Sequence, residues 1–220
     1  MTPRRRRHGF YRALAGDRVD VRNAPRGRFV PASHPASPAC MLQSLVDHSV
    51  CAVDEHPLTI TAAQAAQIPL VQRLAREIWH HYYPSIISVA QIDYMLDRGY
   101  SHEALLRFVE ERDAGLALAG APDDVIAFAA WYRVDATTSK LDKLYVLPEH
   151  HRAGIGRALI EHVGAHAKAA GSSCLTLNVN RGNTLARRAY ERCGFTVRGR
   201  GDFPIGGGFV MEDFIMVREL

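Results

Sequence analysis

The chain has 220 residues, 47% of them hydrophobic, enough for one packed domain with or without a tail. Its net charge of +4 is unevenly spread: residues 1–39 hold nine arginines against only Asp17 and Asp20, a surplus of seven, so the remainder carries −3. No stretch reaches the roughly 20 apolar residues of a membrane helix, which argues against a membrane partner. The four cysteines (Cys40, Cys51, Cys174, Cys193) have no zinc-like spacing and do not resemble a disulfide framework, so a reducing cytoplasmic setting is expected.

Residues 1–57 read as a disordered extension. Arg4–Arg7 is a basic run, four prolines (Pro25, Pro31, Pro35, Pro38) follow, and no helical or strand period persists, so too little apolar surface is available to offset ordering entropy. The apolar core of a secretory signal is missing after the arginines. A nucleic-acid or targeting role is the functional alternative. A dispensable extension, or a misassigned start with Met41 as the true initiator, is preferred, so no nucleic-acid partner is expected.

From Leu58 the chain reads as one domain, 58–220. Leu58–Thr61 is a short strand. Ala63 to His81 is a helix with Ile68, Val71, Leu74, Ala75 and Ile78 at helical spacing, and Pro84 stops it after Tyr82-Tyr83. Ser88 opens a second helix that Gly99 ends, and Ser101–Arg112 is a third. Gly115–Ala119 and Val125–Val134 form a hairpin across Pro122-Asp123-Asp124, and Leu141–Leu147 is a further strand. A helix follows from Gly154 to Ala170, then a strand at Cys174–Val179, a helix at Thr184–Cys193 with Gly194 as its C′ residue, and a last strand pair, Thr196–Arg200 and Phe209–Val217. This order predicts an α/β fold, a mixed sheet with helices on its faces.

Two segments carry chemistry. His151-Arg152-Ala153-Gly154-Ile155-Gly156 joins a strand to a helix start, where unpartnered N–H groups and the helix dipole favour an anion. Gly154 and Gly156 let a pyrophosphate approach the backbone, and Arg152 and Arg157 add charge. The turn is neither a P-loop nor a full dinucleotide fingerprint. Downstream, Asn183 and Tyr190 lie seven residues apart, on one helix face, with Asn183 suited to the N-cap.

Together, Leu144-Tyr145-Val146-Leu147-Pro148-Glu149, the cradle and Asn183-Thr184-Leu185-Ala186 resemble the GNAT superfamily of N-acetyltransferases over about Leu58 to Leu220, most strongly from Leu141 to Phe195. His151 stands where Gln or Arg is usual and Arg152 where Gly is common. The resemblance implies the acyl-CoA N-acyltransferase fold, with a mostly antiparallel central sheet, and acetyl-CoA as cosubstrate. It implies that Tyr145, Val146, His151, Arg152, Ala153, Gly154, Ile155, Gly156, Arg157, Asn178 and Asn183 contact that cosubstrate. It further implies that the strand at Tyr145–Val146 splays from its neighbour to bind pantetheine and that a backbone N–H there stabilises the oxyanion. Tyr190 then serves the departing thiolate as hydrogen-bond donor or acid. Homodimers are common in the family.

On the acceptor side, an amine nucleophile must lose a proton, so a carboxylate, histidine or water chain is needed. In some relatives the base lies near the start of the strand at 141–147, where this chain has Leu141 with Asp142 adjacent. Asp142 is a weak candidate because strand neighbours point to opposite faces. Glu149, Asp202, Glu212 and Asp213 read as solvated surface groups. His80-His81-Tyr82-Tyr83 falls where the family forms its acceptor wall. The adjacent histidines lack a third ligand at suitable spacing, so no metal is expected. Residues Asp202–Asp213 resemble the end of bacterial proteins near the PaiA-like branch, some of which acetylate polyamines, but a hairpin whose glycines satisfy turn geometry is the preferred reading of the pattern. The expected activity is acetyl transfer from acetyl-CoA to a primary amine of a small molecule or a protein, with a non-catalytic acyl-CoA sensor or nucleic-acid-associated regulator as the alternative.

Overall fold

The computed structural model describes residues 58–121 and 124–220; the arginine-rich stretch 1–57 and the turn residues Pro122 and Asp123 lie outside them. In chain order the elements are β1 (Ile60–Ala62), α1 (Ile68–Tyr82), α2 (Val89–Gly99), α3 (His102–Glu110), β2 (Ala114–Ala121) and β3 (Asp124–Arg133). They continue with β4 (Thr138–Val146), α4 (Ile155–Ala169), β5 (Cys174–Asn180), α5 (Thr184–Arg192), β6 (Thr196–Gly206) and β7 (Phe209–Glu219).

Helix α1 starts five residues later than the apolar spacing suggests. Ala63 still belongs to the sheet edge, its N–H donating to Leu116 O at 2.8 Å, and a 3-10 turn at Ala65–Gln67 intervenes. Pro69 falls in the first turn of α1, where its missing N–H removes no helical bond. Ser88 and Ser101 cap α2 and α3 through their hydroxyls, which accept from Gln91 N at 3.2 Å and Ala104 N at 3.1 Å.

The seven strands form one sheet in the order β1-β2-β3-β4-β5-β7-β6. Every neighbouring pair is antiparallel except β4–β5. Alternation along β2 and β3 sends Leu116, Leu118 and Phe128 to one face, under α1, α2 and α3. It sends Ala117, Ala119, Ala127 and Ala129 to the other, under α4 and α5. The fold is thus the expected α/β class, a mostly antiparallel sheet with helices on both faces.

Alternation fails once on β4. Ala130 pairs with Lys143 and Trp131 with Leu141, leaving Asp142 as the extra residue of a β-bulge. Asp142 and Lys143 consequently share the α1–α3 face, with Lys143 Nζ 2.6 Å from Asp142 Oδ2. The Lys143 ammonium lies 4.8 Å from the ring centre of Tyr100 and 5.2 Å from that of Phe108, a cation–π setting. The neighbour argument against Asp142 therefore does not apply here. The carboxylate is instead committed to Lys143.

Strand β6 is longer than Thr196–Arg200 and holds Pro204. An edge strand tolerates proline because one row of its backbone groups is unpaired. The hairpin after it turns at Gly206, Gly207 and Gly208, all at positive φ. A Cβ on Gly206 would lie 2.4 Å from the Tyr94 hydroxyl, so glycine is required for space as well as backbone. Tyr94 donates to Ile205 O at 3.0 Å and Gln91 Nε2 to Val210 O at 3.1 Å, fastening α2 to this hairpin.

Breaking the Asp142–Lys143 pair from one side leaves a buried charge. Asp142→Ala is expected to destabilise the protein by about 3 kcal/mol, whereas Asp142→Ala combined with Lys143→Met recovers most of the loss. Urea unfolding of the two variants measures this, and equal stability losses would contradict it.

Candidate active site

Strands β4 and β5 pair over only three residues, Thr138–Lys140 with Cys174–Thr176. Beyond Lys140 the strands part. Leu141–Val146 stays paired with β3 on one side, and Leu177–Asn180 stays paired with β7 on the other. A cleft opens between them, and its β4 wall ends at Tyr145 and Val146.

The cradle lies at the end of that wall. After a 3-10 turn at Pro148–His150, Arg152 adopts φ 68 and Gly154 φ 83. Arg152 is the only non-glycine residue with positive φ among the described residues. Left-handed residues on either side of Ala153 turn successive N–H groups inward, a concavity suited to an anion. In α4 the first helical bond is from Ala158 N to Gly154 O at 3.0 Å, so the N–H groups of Ile155, Gly156 and Arg157 precede the ladder. No acid sits in the first turn of α4 to neutralise its positive end. A Cβ at Gly154 would meet nothing within 4 Å, and one at Gly156 only Val146 Cγ2 at 3.9 Å. The open face of the cradle is therefore solvent-facing and roomy enough for a pyrophosphate.

His151 does not project into the cradle. Its Nε2 lies 3.0 Å from Val146 O, and its ring stands edge-on to Tyr82 at 6.4 Å. The imidazole that replaces the usual Gln or Arg thus tethers the loop back to the strand it follows.

Asn183 caps α5, its Oδ1 accepting from Ala186 N at 3.1 Å and from the Tyr82 hydroxyl at 3.3 Å. That second bond brings the C-terminal end of α1 across the cleft to the start of α5. Tyr190 packs edge-to-face on Phe195, centroids 5.8 Å apart. Four tyrosines, Tyr83, Tyr100, Tyr145 and Tyr190, converge on the same region. Burial raises the pKa of each, Tyr83 to about 12; the charges of Tyr82 and Asp213 raise Tyr83 further, those of Tyr100 and Tyr83 raise Tyr145, and those of Tyr83, Cys193 and Tyr100 raise Tyr190. All four are neutral donors at physiological pH.

The two histidines of the expected acceptor wall divide. His80 Nε2 contacts Asp93 Oδ1 of α2 at 3.1 Å, a link between helices, and His81 is exposed. Tyr82 and Tyr83 reach the cleft instead.

Asp213 is the clearest departure from expectation. Glu149, Asp202 and Glu212 are exposed, as foreseen, but Asp213 is 5% exposed in the middle of β7. Asn178 Nδ2 donates to its Oδ2 at 3.3 Å. Burial pushes its pKa up to about 6, against the opposing effects of Asn178, Lys140 and Arg181. Lys140 of β4 is buried on the same face, and desolvation lowers its pKa. Asn178 therefore sits beside a carboxyl at the cleft floor. Cross-strand pairing with Asn180 buries Asp213, and nothing within a single segment signals it.

Comparison with known proteins adds to this geometry. The chain is 29% identical over 137 residues to an uncharacterised N-acetyltransferase of Mycobacterium tuberculosis, covering 62% of this chain and 87% of that one. It is 29% identical over 143 residues to a spermidine N(1)-acetyltransferase of Thermoplasma acidophilum, covering 63% and 86% respectively. In structure it resembles the PaiA N-acetyltransferase of Thermoplasma acidophilum, solved in complex with coenzyme A, with TM-score 0.65 and 25% identity over 75% of this chain and all of that one. A GCN5-related N-acetyltransferase fold from Rhodopseudomonas palustris is similar at TM-score 0.62 and 15% identity, with 74% and 95% covered. The model of the acetyltransferase (GNAT) family matches residues 73–195, more than half of the chain and the whole span from α1 through the cleft and cradle to Phe195, and the protein belongs to that family.

Proposed function

We propose that this N-acetyltransferase carries acetyl from acetyl-CoA directly to a primary amine, with a small polyamine-like acceptor ahead of a protein one. The observation that carries the proposal is the parting of β4 from β5 next to an anion-ready helix start. One strand edge, one cradle and one helix cap then offer backbone groups for amides of an arm and unpaired N–H groups for a pyrophosphate. The similarity to a spermidine N(1)-acetyltransferase favours the small cationic acceptor. The regulator alternative rests on the arginine tail, which lies outside the described residues.

In this reading acetyl-CoA supplies the activated acetyl thioester. The backbone from Arg152 through Ala153, Gly154, Ile155 and Gly156 to Arg157 holds the pyrophosphate, with Arg152 and Arg157 side chains adding charge. Edge groups of Tyr145 and Val146 hold the pantetheine amides, and Val146 O can accept from an amide beside its contact with His151. Asn183, anchored by Ala186 N and Tyr82, lines the arm. An unpaired β4 N–H stabilises charge on the reacting carbonyl oxygen.

Tyr190 orients toward the sulfur. A thiol near 8.5 is more acidic than a tyrosine raised above 10. Tyr190 therefore donates a hydrogen bond to the leaving thiolate and keeps its proton. Hydrogen bonds to charged groups contribute about 1.5–3 kcal/mol, so Tyr190→Phe is expected to lower kcat by about 10- to 100-fold with little change in acetyl-CoA affinity. Steady-state kinetics measure this, and an unchanged kcat would remove Tyr190 from the chemistry.

Gly156→Ala separates binding from folding. The new methyl has ordinary contact distance inside the protein, and alanine favours helix over glycine by about 0.5–1 kcal/mol. The variant should be as stable as wild type or more so, yet bind acetyl-CoA at least about tenfold more weakly, a loss of about 1.4 kcal/mol by calorimetry. Failure of folded wild-type protein to bind acetyl-CoA would contradict the proposed function itself.

A further inference from the structure

Asp213 occupies a place where an ionised carboxyl is costly and structurally replaceable. Its Oδ2 has the single donor Asn178, and its Oδ1, fully enclosed, has no hydrogen-bond partner in the protein. No salt-bridge partner lies within reach of it among the described residues. Arg181, the arginine whose charge acts on Asp213, is taken by Asp202 and by Glu212 at 3.2 Å. A leucine, or an asparagine paired with Asn178, would suit the middle of a sheet better. A group that violates packing rules without compensation marks a site of function.

Its surroundings give that function a direction. Asp213 shares the α1–α3 face with Lys140 of β4, Asn178 and Asn180 of β5, and the bulge residue Asp142. Arg181 after β5 and Tyr83 in the link after α1 also face it electrostatically. Tyr83 in turn interacts with Tyr145 and Asn183, the two walls of the cleft. The carboxyl thus stands on the α1–α3 face of the sheet, opposite α4, at the end where the parallel strands β4 and β5 have parted.

We infer that Asp213 is the group that receives the acceptor amine: as the alkylammonium enters it displaces the cover over the enclosed, unpartnered Oδ1, which accepts an N–H and takes that proton. The inference rests on the proposed acetyl transfer. In the step an N–H bond breaks, an O–H bond forms on Asp213, and the electron pair remains on nitrogen. That nitrogen then forms the C–N bond as the C–S bond breaks. The second proton that nitrogen loses goes to the departing thiolate, and Asp213 returns its proton to water. A carboxyl pushed up to about 6 is a stronger base than an ordinary aspartate and is still ionised at neutral pH. Lys140 and Arg181 keep it from rising further, and Asn178 orients it.

The sign follows directly. Activity needs ionised Asp213, so kcat/KM is full above the folded pKa and falls as pH drops through about 6. Stability runs the other way, because a pKa raised above the unfolded value means the folded state loses stability from this group as pH rises through 6. Asp213→Asn is therefore expected to unfold at an equal or higher urea concentration than wild type at pH 8, an advantage that shrinks toward pH 5.

The test follows thiol release from acetyl-CoA with 1,4-diaminobutane, spermidine and a lysine peptide between pH 5 and 9, with urea unfolding and acetyl-CoA calorimetry in parallel. Wild type should lose activity below about pH 6. Asp213→Asn should lose at least about 100-fold in kcat/KM at pH 8, lack that acidic limb and keep wild-type acetyl-CoA affinity, and Asp213→Glu should regain part of the rate with a limb of its own. An Asp213→Asn variant within threefold of wild type, or one that keeps the limb, overturns the inference. So does a large loss of stability at pH 8, which a structural carboxylate would give. An Asp213→Asn protein too unstable to fold counts as such a loss, and independently of it a flat wild-type rate between pH 5 and 7 overturns the inference. A wild type that acetylates none of the amines contradicts the proposed function, whereas an active wild type with an equally active Asp213→Asn contradicts this assignment alone.

Discussion

The structure depends on a strand pair that is begun and then abandoned. Three residues of β4 bond to β5, and the remaining residues of both strands turn their inner edges to a cleft. Unpaired strand groups are normally a liability, exposed to aggregation and costly when buried without partners. Here the fold keeps them apart by giving each strand another neighbour, β3 for β4 and β7 for β5. Two cores, one under α1–α3 and one under α4 and α5, clamp the halves so that the gap does not close.

Everything assigned to the site hangs on that gap. The cradle is the continuation of its β4 wall, and Asn183 is the continuation of its β5 wall. The Tyr82–Asn183 bond spans it from above. Charges that would be expelled from an ordinary sheet persist at its floor on one face: Lys140, Asp142, Lys143 and Asp213. The Asp142–Lys143 pair neutralises itself through a bulge, whereas Asp213 and Lys140 do not meet in a salt bridge, and each pKa moves toward the neutral form. Asp213, pushed up to about 6, can take up and release a proton near neutral pH.

The parts legible in the sequence are those set by local backbone. Helical spacing placed the buried face of α1, the asparagine at 183 placed the cap of α5, and Gly194 placed its left-handed C′ residue. Order along the chain was enough for the fold class. What escaped depends on contacts between strands. A bulge opposite Trp131 moved Asp142 to its neighbour's face, and no feature of 141–147 alone encodes it. Asp213 reads as a surface acid because the hairpin around it is glycine-rich and polar; its burial comes from Asn180 beside it and the α1–α2 link above. His151 turned to a carbonyl five residues back, a matter of side-chain conformation rather than motif. The Pro204 stretch of β6 looked like a loop because edge position, which makes proline acceptable, is a property of the sheet.

The central claim is that the cleft between β4 and β5, with its cradle, is where acetyl-CoA lies. Amide hydrogen exchange with and without acetyl-CoA tests it most directly. The account predicts added protection confined to Tyr145, Val146 and the 152–157 backbone, with the β3 and β7 ladders unchanged. Saturating acetyl-CoA that left those amides exchanging as before, or that protected a different face of the sheet, would contradict it.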